Sequence, residues 1–361
     1  MLVRGVTLQD FRNIAAAELA LSGLRQYFRG ANGQGKSNLL EAVGLVTALR
    51  SFRTADTRSV ISLGREEAAA AFTLEREGEP AERVAVRIRR TGKELWHGQS
   101  RVARLAEHVG RYPTVVFSSQ DLQLVRGAPA LRRRWLDMAL ASMDPGYLAA
   151  LQAYARALAG RNSLLRRPGG ASPQELSAFE RVMAPAGSAL VSARIAGVGQ
   201  IASLASGFYL RLSGPAETMA LRYETSLQGL GSEELLARLE SGRQADSRSG
   251  ATLTGPHRDD LAFEVGGAPA RDFASEGQQR SAMLALRLAQ AEWSRARSGV
   301  RPVLLADDVL GELDPGRRAR FWAALDPAAQ VIATGTAEPD GALAQWQVFA
   351  VAAGRFAPDP A

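Results

Sequence analysis

The sequence contains no cysteine in 361 residues, which excludes disulfide bonds, thiolate metal sites and cysteine nucleophiles. Lysine is almost as scarce, because Lys36 and Lys93 are the only two among 44 basic residues and the other 42 are arginine. No uninterrupted apolar run approaches the ~18 residues of a membrane-spanning helix. The start, MLVRGVTLQDFRN, lacks the apolar centre of a signal peptide. We therefore expect a cytoplasmic protein with no membrane partner.

The composition is that of a globular, basic protein. Apolar residues make up 46% of the chain and charged residues 22%, which allows a sizeable core and does not resemble a disordered chain. The formal charge of +7 favours a polyanionic partner, most simply nucleic acid. On composition alone, a general preference for arginine with no partner behind it stays open.

The order of elements predicts an α/β fold whose parts come from both ends of the chain. Short alternating runs predict a hairpin and a third strand over residues 1–28, a second hairpin over 68–90 and a buried strand over 114–120. Between about 121 and 249, Ala, Leu and Arg recur at helical spacing. We predict a discontinuous α/β domain, residues 1–120 plus 250–361, with a mainly helical second domain, lobe II, inserted as residues 121–249.

A glycine-rich stretch predicts a nucleotide site in the α/β domain. Residues 30–37, GANGQGKS, match the phosphate-loop (P-loop) pattern G-x-x-x-x-G-K-[ST] between a predicted strand and a predicted helix. Such a loop turns backbone N–H groups towards phosphates, and the next helix presents its positive end to the same anion. Lys36 supplies a compact charge where the planar fork of arginine fits less well. Ser37 places a hydroxyl on Mg²⁺. A chance glycine-rich turn is the alternative, which the flanking strand and helix disfavour.

A second motif supplies the acids that a P-loop needs. In PVLLADDVLGELD, residues 302–314, Asp307 follows an apolar strand and is expected to hold Mg²⁺ through water. Asp308 is expected to orient or deprotonate the attacking water. Because aspartate is one methylene shorter than the glutamate often used for this, we predict slow hydrolysis.

A third motif, FASEGQQR at residues 273–280, lies between the other two. Ser275 and the N–H groups near Gly277 predict a second anion-binding turn at a helix start. One subunit already has its phosphate loop, so a second turn makes sense if it closes over the nucleotide of a partner subunit. The alternative is an ordinary serine N-cap.

Together these motifs resemble the ATP-binding-cassette ATPases and, more specifically, the RecF family, which is related to the SMC ATPases. The resemblance runs through nearly the whole chain and is weakest over about 165–250. The stretches that carry it are LQDFRN (8–13), GQGKSNLLEAV (33–43), FSSQDLQLVRGAPALRRRWLD (117–137), GPHRDDLAF (255–263), FASEGQQRSAMLALRLA (273–289) and LLADDVLGELD (304–314).

The resemblance implies a role for each matched residue. The expected ATP-binding residues are Arg12, Asn13, Gly30, Ala31, Asn32, Gly33, Gln34, Gly35, Lys36, Ser37 and Asn38. The expected Mg²⁺ ligands are Ser37 and Asp307, and the expected catalytic residues are Lys36 and Asp308. The residues expected to meet the opposite subunit are Ser275, Gly277 and Gln278 of the signature turn and Asp314 of the D-loop.

The resemblance also implies a function. Two subunits would close head to tail around two ATP molecules and clamp double-stranded or junction DNA, and slow hydrolysis would release it. With the partners RecR and RecO, the protein would help RecA loading at gaps, in recombinational repair and replication-fork maintenance. A transporter nucleotide-binding subunit is one alternative, although Thr334 and Thr336 stand where transporters carry a histidine. A non-hydrolysing, ATP-dependent DNA scaffold is another.

Arginines are concentrated at the start of the predicted insertion. We expect DNA phosphate contacts from Arg126, Arg132, Arg133 and Arg134, while solvated helix faces or internal ion pairs remain the alternative. Gln120 lies where the family has its Q-loop, but Ser-Gln-Asp replaces the usual residues there and leaves its role open. The role of His257 is open as well.

Overall fold

The computed structural model describes residues 1–54, 56–309, 311, 313–339 and 345–359. The strands are β1 (Leu2–Phe11), β2 (Ile14–Ala20), β3 (Arg25–Arg29), β4 (Glu67–Glu75), β5 (Glu82–Arg89), β6 (Gly92–His97), β7 (Ser100–Arg101), β8 (Thr114–Ser118), β9 (Met219–Glu224), β10 (Asp260–Val265), β11 (Ala268–Pro269), β12 (Val303–Asp307), β13 (Val331–Gly335), β14 (Gln347–Ala352) and β15 (Arg355–Pro358). The helices are α1 (Lys36–Ala48), α2 (Leu122–Arg126), α3 (Pro129–Ala141), α4 (Pro145–Leu165), α5 (Pro173–Ser213), α6 (Ser232–Ser241), α7 (Arg243–Ser249), α8 (Ala270–Phe273), α9 (Glu276–Ser298) and α10 (Pro315–Ala324).

The central sheet is mostly parallel and has the order β15-β14-β3-β13-β12-β8. Its strands β12 and β13 are almost entirely apolar and buried because both faces of the sheet are covered. Successive residues of β12 alternate between two cores: Val303 and Leu305 pack with α1, whereas Leu304 and Ala306 pack with α5 and α9. The predicted α/β architecture, built from both ends of the chain, is therefore present.

An antiparallel sheet of order β2-β1-β4-β5-β6-β7 covers the α1 side. Its strands alternate cleanly, so that Ala68, Ala70, Phe72 and Leu74 of β4 are buried and the residues between them are more exposed. Both predicted hairpins are formed. Strands β6 and β7 and the carboxyl-terminal hairpin β14–β15 were not predicted.

Helix α5 lies within the predicted lobe II, residues 121–249, and continues without a break past Pro185. Ser172 and Glu175 start it with a reciprocal capping box. Its length and apolar composition would suffice to cross a membrane, but half of the most apolar window is buried inside the protein. It also buries Glu180 and Arg194, and it packs against α4, α6 and α9. The helix therefore has the setting of a core helix.

Strand β9 lies inside the segment predicted to be mainly helical. It pairs antiparallel with β10, and Leu221 stands opposite Phe263. The resulting three-stranded sheet, β11-β10-β9, joins residues before and after the predicted boundary at 249/250. Hydrogen bonds within one sheet therefore cross that boundary.

A buried ion-pair network holds lobe II together around Arg161, whose side chain has no exposed surface. Its guanidinium donates to Glu180 at 2.8 Å, to Asp246 at 2.7 Å and to the Thr252 hydroxyl at 2.8 Å. Glu180 and Asp246 are buried as well. Glu180 also binds the partly exposed Arg243, whereas the cation bound by Asp246 is Arg161, so loss of Arg161 leaves the buried Asp246 without a positive partner.

We predict that Arg161→Met lowers the free energy of unfolding by about 3–5 kcal/mol, because Asp246 stays buried without its cation and Glu180 keeps only Arg243. Urea denaturation measures this. The matched control is Arg167→Met, whose partner Glu175 is exposed, so that its loss should cost much less stability. Equal effects of the two variants would contradict the prediction.

Candidate functional site

The carboxyl ends of β3, β13 and β12 lie side by side at one edge of the central sheet. Thr334 of β13 stands opposite Phe28 of β3 and opposite Asp307 of β12. Parallel strands bring their carboxyl ends to the same edge, where ligands of open α/β sheets bind. The glycine loop and the acidic pair therefore meet, although Ser37 and Asp307 are 270 residues apart.

The glycine loop has a backbone that other residues would not fit. Gly35 has φ 114° and is the N-cap of α1, where it has no side chain to bond the first amides of the helix. A Cβ on Gly30 would lie 2.3 Å from the Val351 carbonyl oxygen. Open amides at a helix start suit the phosphates of a nucleotide.

Lys36 is buried inside this loop. Its Nζ donates to the carbonyl oxygens of Gly30 at 2.5 Å and Ala31 at 2.9 Å. Burial lowers the pKa of Lys36 from its ordinary value, and the nearby Asp308 and Asp307 act in the opposite direction. The carboxylates therefore help to keep an ammonium group, with three donors, at the centre of the loop.

Ser37, Asp307 and Thr334 form a hydrogen-bonded group beside Lys36. Asp307 Oδ1 accepts from Ser37 Oγ at 2.7 Å and from Thr334 Oγ1 at 3.0 Å. A hydroxyl and a carboxylate are oxygen ligands of the kind that Mg²⁺ takes. Residues from α1, β12 and β13 thus offer a donor set that fits this ion.

Asp308 follows Asp307 and has its backbone in the left-handed region, at φ 55°. Its N–H donates to Thr334 Oγ1 at 3.1 Å, so that Thr334 orients both aspartates. The carboxylate of Asp308 also acts on the neighbouring Tyr27: burial raises the pKa of the Tyr27 hydroxyl, and the negative charge of Asp308 raises that pKa further. Aspartate tolerates this backbone region better than most residues do.

Of Arg12 and Asn13, which were both predicted to bind ATP, Asn13 contacts the glycine loop directly. Its Nδ2 donates to the Gly33 carbonyl oxygen at 3.2 Å, and its Oδ1 accepts from Asn38 Nδ2 at 2.8 Å. The Arg12 guanidinium instead binds the fully buried Glu41 of α1, with N–O distances of 3.0 and 2.8 Å. Asn13 and Asn38 therefore line the loop, whereas Arg12 anchors α1.

Gln34 ties the loop to the carboxyl-terminal hairpin. Its side-chain oxygen accepts from Ala353 N at 2.6 Å and its carbonyl from Gly354 N at 2.8 Å. Ala31, Asn32 and Gly33 are exposed at the loop surface. No sequence motif indicates these two hydrogen bonds to Gln34.

The signature turn lies at the start of α9. Ser275 Oγ accepts from Gln278 N at 3.3 Å, and Gln278 Oε1 accepts from Ser275 N at 2.8 Å, which makes a capping box. Gln278 Nε2 donates to Glu217 at 2.9 Å, and Glu217 also accepts from Tyr209 at 2.9 Å. Ser275 is thus the N-cap of α9, which was the alternative to an anion-binding turn. Through Gln278 and Glu217, this turn is also hydrogen-bonded to Tyr209 near the end of α5.

Arg317 joins the signature turn to the D-loop and was not singled out from the sequence. A Cβ on Gly277 would lie 2.3 Å from Arg317 NH1, so a side chain at this position would displace the guanidinium. Asp314 caps α10 by accepting from Arg317 N at 2.9 Å, and its carboxylate lies 3.4 Å from Arg317 NH1. Asp314 and Gly277 therefore share one arginine.

The predicted DNA arginines all have partners within the chain. The prediction that Arg132 contacts DNA is wrong. Its side chain is buried and binds Asp260 through two N–O contacts of 2.7 Å, so it is not available to DNA. Arg133 donates to the Asp259 carbonyl oxygen at 2.7 Å and Arg134 to that of Ser51 at 2.9 Å. Arg126 stays partly exposed and donates to Gln279 of α9 at 2.6 Å.

His257 and Gln120, whose roles the sequence leaves open, have different surroundings. The ring of His257 bonds the Tyr154 hydroxyl at 2.7 Å and the Thr252 carbonyl oxygen at 2.9 Å, and burial lowers its pKa. His257 is thus a structural hydrogen-bond partner. Gln120 is exposed, and its N–H donates to Ser118 Oγ at 3.3 Å. Its contacts assign it no role.

The chain has the fold of the ATP-binding-cassette ATPases. An SMC head domain bound to the C-winged helix domain of ScpA shares the fold, with a TM-score of 0.55 at 15% identity over 99% of this chain and 98% of that one. A recombination mediator protein RecF with ATP, of the RecFOR pathway, is far more similar: its TM-score is 0.90 at 27% identity over 99% and 97% of the two chains.

A sequence relative identifies the family. The DNA replication and repair protein RecF of Gloeobacter violaceus is 38% identical over 349 residues, which cover 93% of this chain and 92% of the relative. No family model matches the chain. The chain belongs to the RecF family, and the transporter alternative is thereby set aside.

We predict that Thr334→Val lowers the free energy of unfolding by about 1–3 kcal/mol, because the Asp308 N–H loses its acceptor while valine keeps the shape. Mg²⁺-dependent ATP binding should weaken as well, since Asp307 is no longer held. Urea denaturation and ATP titration with and without Mg²⁺ measure the two effects. Thr334→Ser keeps the hydroxyl and is the control; loss of the same size there would contradict the assignment.

Proposed function

We propose that this chain is an ATP-dependent DNA-binding protein of recombinational repair and replication-fork maintenance. The observation that carries the proposal is the edge where Lys36 and Ser37 of the loop meet Asp307, at the end of β12. That arrangement suits a nucleoside triphosphate with Mg²⁺, held by loop amides, one ammonium group and two oxygen ligands. The RecF relative with ATP supports the choice of nucleotide.

The active form would be a head-to-tail dimer. The contacts of Ser275, Gly277 and Gln278 run to Glu217, Arg317 and helix α9 itself, not to the glycine loop. The signature turn is therefore available for the nucleotide of a second subunit. Two loops and two signature turns would then enclose two ATP molecules, with Asp314 at the contact between subunits.

Hydrolysis would open the dimer, slowly. Asp308 stands beside Asp307 at the strand end, where it would orient or deprotonate water. Its carboxylate reaches one methylene less far than glutamate, which favours turnover below about one per second, under the usual enzyme range. Phosphate release during ATP-dependent dimerisation distinguishes this reading from a scaffold that never hydrolyses.

DNA would be held by the closed dimer. The charge of +7 supports a polyanionic partner, which we propose to be double-stranded or junction DNA. The RecF relative of the RecFOR pathway supports RecR and RecO as protein partners. Help in loading RecA at gaps completes the proposal. Of the four predicted arginines, Arg126, Arg133 and Arg134 remain candidate DNA contacts.

We predict that Lys36→Met abolishes ATP-dependent dimerisation and, with it, tight DNA binding, because the loop loses its only ammonium group. Lys36→Arg should fail as well, since the planar fork does not replace a point charge. Sedimentation with and without ATP, then with junction DNA, measures both steps. Lys93→Met, at the other lysine, is the control and should behave as wild type. Unchanged, ATP-responsive DNA binding by Lys36→Met would refute the proposal.

We predict that Gly277→Ala keeps ATP binding but weakens the ATP-dependent dimer at least about tenfold, which corresponds to 1.4 kcal/mol. The added methyl would displace the Arg317 guanidinium, which is 2.3 Å from its position. Titration with a fluorescent ATP analogue measures binding, and sedimentation measures the dimer. Gly199→Ala, with open space around it in α5, is the control. A normal Gly277→Ala dimer would place the signature turn outside the interface.

A further inference from the structure

The segment over residues 250–260 is bordered by arginines that the ATP site does not use. Arg258 donates to the Thr252 carbonyl oxygen through Nε at 3.2 Å and through NH2 at 2.9 Å. Arg133 of α3 donates through NH1 to the carbonyl oxygen of Asp259, the next residue along the segment, at 2.7 Å. Burial lowers the pKa of His257, and the charges of Arg258 and Arg133 lower it further, so both guanidiniums lie near this ring.

A third arginine reaches the same segment from the end of α4. Asn162 Oδ1 accepts from Thr252 N at 2.8 Å and from Thr252 Oγ1 at 2.7 Å, which ties α4 to the segment. Arg166 lies four residues after Asn162, on the same side of the helix. Its Cγ is 3.5 Å from the place that a Cβ on Gly250 would take. Arg133, Arg166 and Arg258 therefore border one segment, and we call them the arginine group.

The arginine group forms no ion pair within the described part of the chain. Arg166 and Arg258 are exposed, and Arg133 is partly exposed. After the hydrogen bonds to backbone carbonyls, Arg133 has Nε and NH2 available, Arg258 has NH1, and Arg166 has its whole guanidinium. Arg126, another predicted DNA contact, instead lies 3.5 Å from Glu276. The arginine group is therefore more available to an anion from outside the chain.

The carboxylates near the arginine group are bound to other side chains. These pairs are Asp137 with Arg194, Asp246 with Arg161, Asp259 with Tyr223 and Asp260 with Arg132. Of the acids on the adjoining elements, Glu175 of α5 binds Arg167, and Glu224 lies on the same face of β9 as Arg222. The positive charge of the arginine group is therefore left for a partner of opposite charge.

We propose that the arginine group binds phosphates of the DNA backbone when the ATP-bound dimer closes on DNA. This inference rests on the proposed function and assigns DNA contacts to one surface of lobe II. The guanidinium fork matches phosphate oxygens through paired N–H donors. A guanidinium already held by a backbone carbonyl also loses less conformational freedom on binding. A polymer fits this surface better than a small anion does, because the three charges come from α3, α4 and the 250–260 segment.

The salt dependence of DNA binding tests these contacts directly. Arg166→Gln and Arg258→Gln should each weaken binding of junction DNA about threefold or more, and should lower the slope of log K against log salt by at least about one, because a phosphate contact is lost. Fluorescence anisotropy of labelled DNA, with ATP and Mg²⁺ at several salt concentrations, measures both values. Arg90→Gln removes the same charge from the exposed turn between β5 and β6 and is the matched control, which should keep the wild-type slope.

Further substitutions of Arg166 separate phosphate binding from a role in folding. This side chain makes no hydrogen bond or ion pair in the part of the chain that the structure describes, so its replacement should leave the fold intact. Arg166→Lys keeps the charge and should keep the wild-type salt slope, whereas Arg166→Glu should weaken DNA binding more than Arg166→Gln does. Sedimentation with ATP and without DNA should show the wild-type dimer for every variant.

The outcomes separate this inference from the proposed function. If the wild type binds junction DNA with ATP and the Arg166 and Arg258 variants match it in affinity and slope, the DNA surface lies elsewhere and the proposed function stands. Weaker binding with an unchanged salt slope would also overturn the phosphate contacts. A wild-type protein that does not bind DNA in the presence of ATP overturns both the surface and the proposed function.

Discussion

The parallel pairing of β3 with β13 is the contact on which the site depends. It places Phe28, at the end of the strand before the glycine loop, opposite Thr334, and Thr334 in turn binds both aspartates. These strands come from opposite ends of the chain, and the whole of lobe II lies between them. Contacts of such high sequence separation form late and at a large entropic cost. The site is therefore complete only when the two ends of the chain have folded together.

Much of this arrangement could be predicted, because the local signals agree with the global fold. The glycine loop, the apolar strand before Asp307 and the serine before α9 each carry a short motif whose backbone needs are specific. Strand β9 was missed because it is six residues long within a helix-forming region, and its partner β10 lies beyond a predicted boundary. The hydrogen bonds between Gln34 and the carboxyl-terminal hairpin could not be predicted, and neither could the Arg317 contact with Gly277. Both arise from tertiary packing between distant segments.

The arginines illustrate how composition can mislead. A high positive charge predicted a nucleic-acid surface at the start of lobe II, yet Arg132, Arg161 and Arg194 are buried against carboxylates. The planar guanidinium can bind a carboxylate and a carbonyl oxygen at once, which suits internal cross-links better than an ammonium group does. These three arginines therefore stabilise the helices of lobe II from inside and do not form a surface for DNA.

Helix α5 gives the signature turn a mechanical connection to the far side of lobe II. At 1.5 Å per residue, its 41 residues form a rod about 60 Å long. Tyr209, near one end, is joined through Glu217 to Gln278, whereas Glu180, near the other, belongs to the buried network around Arg161. A tilt of about 5° at the Tyr209 end displaces the opposite end by about 5 Å for a rod of that length. A small tilt at the end of α5 that meets the signature turn would therefore move its other end by about the length of one helical turn.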